Sequence, residues 1–207
     1  MKNLSRWLRV LLIVFGILTA ASLVPPFRLL AQQDLSKPIL SPEQQKERDL
    51  LTDRQKLMKQ AKQKATLVIF STRVQGQQTD PDSAANVVEI INNSGLINAM
   101  DARQCVLLKA SQADTNEQKT LWDLAREFQE YTKKNPPATD YALYADYVFN
   151  PQNWEQGFVH FVICNRKGEW VIVDFQNSHQ PDYQNVKPTS REGCDNLLVK
   201  RLESYLR

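Results

Sequence analysis

Glycine is scarce in this chain, with six in 207 residues. None falls in a P-loop, GxGxxG or GxSxG pattern, which argues against loops that cradle phosphate on glycine amides and against a strained nucleophile elbow. Histidine is rarer still: there are two, His160 and His179, and no HExxH pattern. The three cysteines, Cys105, Cys164 and Cys194, show no CxxC spacing, which argues against a zinc ribbon or a thioredoxin-like redox pair. No cysteine lies between residues 18 and 32, so a lipidated amino terminus is not expected. Positive charge is lacking where a nucleic acid would need it. Residues 65–207 carry 14 basic and 18 acidic residues, and phosphate contacts require a basic face. No internal repeat or low-complexity tract is present.

The basic residues are concentrated at the other end. Lys2, Arg6 and Arg9 precede a 15-residue uncharged run, Val10 to Val24, which Pro25-Pro26 closes. Proline has no amide donor and biases its predecessor away from helix, so the apolar segment stops there. A basic flank, a short apolar core and a break have the layout of a secretory signal. Two outcomes fit residues 1–27. The segment is cleaved, for example after Ala31, or it stays as a signal anchor through residues 10–27. Fifteen residues are short against the roughly 20 that span a bilayer. If retained, its basic flank stays on the cytoplasmic side. The location expected is the cell envelope, outside the cytoplasm, either anchored in the inner membrane or released as a secreted or periplasmic protein.

Residues 28–64 read as a polar tether. From Ser41, the stretch SPEQQKERDLLTDRQKLMKQAKQK predicts a helix, with Ser41 as N-cap, Pro42 in the first turn and Gln44 at capping-box spacing. Leu50/Leu57 and Leu51/Met58 are heptad-spaced, which fits a short coiled coil or a solvated spacer helix.

Residues 65–207 predict one α/β domain, with α+β as the neighbouring class, in the order β-α-β-α-β-β-β-α around a central mixed sheet. Ala65 to Thr72 reads as a strand buried on both faces. A loop follows, then a helix opened by Asp80 and Pro81 and closed by Gly95, with Ala84, Val87, Val88 and Ile91 inward. Gln104 to Ala110 reads as the second strand. Thr115 and Gln118 mark the start of a helix to Lys134, with Leu121, Leu124, Ala125, Phe128 and Tyr131 inward. Tyr141 to Phe149 is the third strand. Gly157 to Cys164 and Glu169 to Phe175 form a hairpin around Asn165–Gly168. Thr189 and Glu192 mark the cap of a last helix, whose stripe holds Cys194, Leu197, Leu198, Leu202 and Tyr205.

The densest polar cluster is Asp174, Asn177, Ser178, His179 and Asp182, in a stretch that reads as a long loop. Such loops often carry binding. The spacing matches no metal motif, no catalytic residue can be assigned, and no cofactor is implied. His160 sits mid-strand, opposite Val173 if the hairpin loop is even and opposite Asp174 if it is bulged. Cys164 shares its strand face but lies four residues away, too far for a thiol–imidazole bond at about 3.3 Å per residue. A disulfide between two of the three cysteines remains open on sequence alone.

The strand Asp140-Tyr-Ala-Leu-Tyr-Ala-Asp-Tyr-Val-Phe149, taken with the element order, resembles the amino-terminal domain of TolB and related CsgG-like envelope proteins. Ala145-Asp146-Tyr147-Val148-Phe149 matches the family segment ADYVL.G, while Asn150-Pro151 replaces its glycine region. The resemblance implies an envelope protein that binds another protein without catalysis. The alternative readings are an extracytoplasmic hydrolase and a small-ligand-binding domain, both using residues 174–185.

Overall fold

The computed structural model describes residues 42–74, 81–106, 108–109, 117–150 and 153–207. The signal segment, Asp80 and Thr115 lie outside them. Among the described residues no helix is long and apolar enough to cross a membrane.

The elements follow from local sequence in chain order. Helix α1 is Pro42–Ala61, strand β1 is Thr66–Ile69 and strand β2 is Arg73–Val74. A 3-10 turn, Pro81–Ala84, leads into α2, Ala85–Ser94, and then β3, Asn98–Asp101. Helix α3, Glu117–Lys134, precedes β4, Tyr141–Asn150, β5, Asn153–Asn165, and β6, Trp170–Gln176. A short helix α4, Pro181–Val186, and the last helix α5, Arg191–Leu206, complete the chain.

The strands form one mixed six-stranded sheet in the order β3-β1-β4-β5-β6, with β2 also on β4. β1, β2, β3 and β4 run parallel, and β4, β5 and β6 run antiparallel. This is the expected mixed α/β architecture. One face carries α2, α5 and α1 over a core that includes Leu67, Ile69, Leu143, Tyr147, Phe161 and Ile163. The other carries α3 over Phe70, Tyr144, Val162 and Cys164. There the rings of Phe70, Phe128 and Tyr144 meet at centroid distances of 5.5–5.9 Å, edge-on or tilted, as aromatic quadrupoles prefer.

Four local readings are corrected. The second strand is Asn98–Asp101, not Gln104–Ala110. Arg103 adopts a left-handed φ of 48° and turns the chain off the sheet, so Val106 and Leu108 cover the sheet face instead of joining it. Their apolar character signalled burial and not pairing. The first strand divides into β1 and β2. Ile69 pairs with Leu143 and Arg73 with Asp146, so four residues on one side span three on the other. Residues 181–186, read as loop, form α4, with Tyr183 buried as its anchor. The cap of α5 is Ser190, whose Oγ accepts from the Gly193 amide at 3.1 Å, one residue beyond Thr189.

The polar helix α1 is part of the compact unit, which begins at Pro42 where the sequence placed the boundary at Ala65. Of its two heptad pairs, Leu51 and Met58 turn inward and Leu50 and Leu57 turn outward. Met58 is 0% exposed and Leu57 61%. Arg54 Nη1 donates to the Trp170 carbonyl at 3.1 Å and Lys62 Nζ to the Leu206 carbonyl at 2.7 Å.

The outer edge of β3 is closed by a side chain. Asn92 on α2 accepts from the Ala99 amide at 2.8 Å and donates to the Ala99 carbonyl at 3.0 Å, as a neighbouring strand would. Unpaired edges template association, and this clamp blunts one. Asn92→Ala is expected to cost about 1 kcal/mol, read by urea titration, and to introduce concentration-dependent self-association, read by light scattering.

Candidate functional site

The five polar residues singled out around 174–182 do not meet at one point. Asp174 projects from β6 beneath α5, where its Oδ2 accepts from Arg201 Nε and, at 2.9 Å, from the Tyr205 hydroxyl. Asp182 lies 3.6 Å from Arg201 Nη1, and the guanidinium stacks over the Tyr205 ring at 4.8 Å. Burial, and then the Asp174 carboxylate, push the Tyr205 hydroxyl pKa above its ordinary value. Asp174 and Asp182 therefore converge on Arg201 and tie β6 and α4 to α5. Asn177 turns the other way. Its Oδ1 accepts from the His179 amide at 3.0 Å, and its Nδ2 donates to Glu117 on α3 at 3.1 Å. The Ser178 carbonyl accepts from Gln184, and Ser178 and His179 are both exposed.

No disulfide joins the three cysteines to one another. Cys164 belongs to the core under α3 and Cys194 to the core under α5, on opposite sheet faces. Burial raises the Cys164 thiol to about 12 and pushes Cys194 up as well, so neither is a thiolate at neutral pH.

Hairpin register places His160 opposite neither Val173 nor Asp174 but opposite Phe175, with Asp146 as its neighbour on β4. Two shifts add. The loop holds three residues, Arg166 to Gly168, because Gly168 takes the left-handed φ of 71°. A bulge then inserts Val171 between the Ile163–Ile172 and Cys164–Trp170 pairs.

Two polar assemblies were not expected. The first is an ion pair buried in the core. Arg73 Nε and Nη2 donate to Asp146 Oδ1 and Oδ2 at 3.0 and 3.1 Å, and Nη1 donates to the Leu108 carbonyl at 2.8 Å. The geometry is bidentate, the strongest form of this pair. The second lies where the 3-10 turn and the start of α5 approach each other. Asp195 accepts from the Tyr147 hydroxyl and from Asn86 Nδ2, both at 2.7 Å. Arg191 donates to the Ser83 carbonyl at 2.9 Å and to the Thr72 hydroxyl. A shallow crevice of about 550 Å³ opens over Asp82, Ser83, Asn86, Arg191 and Glu192. Burial raises the Asp195 pKa, while the bonds from Tyr147 and Asn86 oppose that rise. Both Asp195 oxygens are taken by the fold, so the assembly serves to hold the two helices on the sheet. Among the described residues no group of three or more His, Cys, Asp or Glu side chains could hold a metal ion.

At the surface, Trp122 of α3 packs on Trp170 of β6 with centroids 5.6 Å apart at 60°. Trp170 is fixed from both ends: its Nε1 donates to the Ala125 carbonyl at 2.9 Å and its own carbonyl accepts from Arg54. Trp122 remains 39% exposed.

No family model matches the chain, and no curated protein is similar to it. Solved structures that resemble it include two bacterial proteins. One is the LpoB C-terminal domain from Salmonella enterica, with TM-score 0.32 and 14% identity, covering 63% of this chain and 96% of that one. Another is the lipoprotein GNA1162 from Neisseria meningitidis, with TM-score 0.28 and 11% identity, covering 68% and 96%. The likeness is to bacterial proteins, one of them a lipoprotein. At these scores it assigns no function.

The sequence held faint signals for what was missed. Asp146 is the one charge inside YALYADYVF, and a charge in a buried strand needs a partner. Trp122 stands on an otherwise polar face of α3, beside Asp123 and Arg126.

Proposed function

We propose that this chain is a non-catalytic protein-interaction module of the bacterial envelope, delivered by residues 1–27 and meeting its partner through the Trp122–Trp170 face. The indole pair carries this reading. A large, rigid, part-exposed aromatic surface loses little conformational entropy on contact, and tryptophan anchors contribute about 2 kcal/mol or more at interfaces. Trp170 is held by two backbone bonds, so the face is preorganised. The location rests on the basic flank and apolar run at the amino terminus, which orient the domain away from the cytoplasm. The mildly acidic domain suits a protein partner better than a nucleic acid.

Oxidative footprinting tests the surface without knowledge of the partner. Trp122 is expected to be oxidised several-fold more slowly in native membranes than in the purified full-length chain, read by peptide mass spectrometry. Equal oxidation in the two preparations would mean that this face is bare in the cell.

A further inference from the structure

One end of the sheet treats a polar group differently from the rest of the core. His160 is fully buried, yet neither Nδ1 nor Nε2 has a hydrogen-bond partner among the described residues, and the Tyr144 hydroxyl on the same face also lacks one. The imidazole sits between aromatic rings, 4.9 Å from Phe158 and 6.4 Å from Phe175. Its cross-strand neighbour Asp146 is spanned at both oxygens by Arg73. Among the described residues the charged and titratable groups on this side include Asp146 and Tyr144 from β4, Cys164 from β5, Arg73 from β2, Cys105, and Glu117, Glu127 and Tyr131 from α3. Glu117 is bonded by Asn177, and Glu127 accepts from the Lys109 amide. Among the described residues no acceptor is therefore positioned for an imidazolium, which would stand as a buried cation facing the Arg73 guanidinium.

We propose that His160 is a proton-operated latch: acidification protonates the imidazole from solvent, the imidazolium leaves its slot between Phe158 and Phe175, and the flanking strand ends at Val148 and Phe158 separate. The β4–β5 ladder is already irregular there, with a register shift between Val148 and Asn150. The Arg201–Asp174 anchor lies on the opposite sheet face, so the rest of the fold stays assembled.

The sign follows from the closed-state pKa. Burial first, and then Arg73, hold His160 down to about 4 from the ordinary 6.5. The closed end is fully stable above about 6.5 and loses stability as pH falls from there toward about 4. If the freed imidazole titrates normally, the opening equilibrium rises about 30-fold between pH 7.5 and pH 5.

Hydrogen exchange on the full-length chain in detergent, corrected for intrinsic amide rates, tests this. Amides flanking the latch, Tyr147, Val148, Phe158 and Val159, are expected to open about 30-fold more at pH 5 than at pH 7.5, while those of β1 change little. His160→Phe and His160→Gln should each abolish the difference, and either suffices if the other does not fold. Equal opening at both pH values, or an unchanged rise in a folded variant, would overturn the proposal. Direct NMR titration of the His160 ring is expected to show a midpoint below 5; a midpoint near 6.5 would overturn it equally.

Discussion

Asp146→Ala is expected to destabilise the domain by about 3–5 kcal/mol at neutral pH, measured by urea denaturation. Asp146 is 0% exposed and Arg73 5%. Removing the carboxylate strips two charge-assisted bonds from a guanidinium that cannot reach water. Arg73 keeps the Leu108 carbonyl, a dipole that offsets a buried cation less than a carboxylate does. Most of the loss comes from the stranded cation and little from the net value of the pair. The double replacement Arg73→Met with Asp146→Leu should therefore recover most of it, since neither charge then has to be desolvated. The pair's contribution in that account is to position. It joins β2 to β4 in one register, because only the Arg73–Asp146 pairing brings guanidinium and carboxylate together across the two strands. A loss under about 1 kcal/mol for Asp146→Ala would place the pair in the range of solvated ion pairs and remove that role.

The second large effect concerns α1. Met58→Ala should cost about 2–5 kcal/mol, the range for emptying a buried methionine site. Leu57→Ala, its neighbour on the outward face, should fall within about 0.5 kcal/mol. A spacer helix standing clear of the domain would make both changes neutral. Truncation to Ala65 removes Met58 together with the Arg54 and Lys62 contacts to Trp170 and Leu206, so it should be more damaging than either substitution. Thermal melts of the three variants beside the parent chain decide between the packed helix and the free tether.

Why α1 reads as a tether is instructive. Its inward stripe is thin: Leu51, Met58 and Arg54, with Lys62 just past its end and one residue fully buried. A long cationic side chain that covers apolar surface with its methylenes looks the same in sequence as one in open water. The α/β class, the helices at 85–94 and 117–134, and the β4–β5–β6 meander were legible because their periodicities are strong, while the helix at 191–206 was legible from its cap signal and its run of leucines. Register was not legible. His160 moved two places relative to an even hairpin, once through Gly168 and once through the Val171 bulge. Backbone geometry sets such shifts, and hydrophobic pattern is blind to them as long as Val162 and Val173 still share a face. The Gln104–Ala110 misreading has the same origin: an apolar run states that it is buried and leaves open whether its amides pair in a ladder.

The polar stretch at 174–182 shows a further limit. Composition marks a dense group of Asp, Asn, Ser and His, but direction decides its use. Asp174 and Asp182 point to Arg201, and Asn177 to Glu117. Arg201 lies 27 residues beyond Asp174, on another element, with no sequence signal linking them.

The interaction reading is tested most directly by a photo-crosslinking amino acid at position 126, exposed on α3 one turn from Trp122, in living cells at native expression. A matched probe at Asn196, exposed on α5, serves as the control. The expected result is a discrete higher-mass protein adduct from position 126 and none from position 196. No adduct from position 126, or the same adducts from both positions, would contradict it.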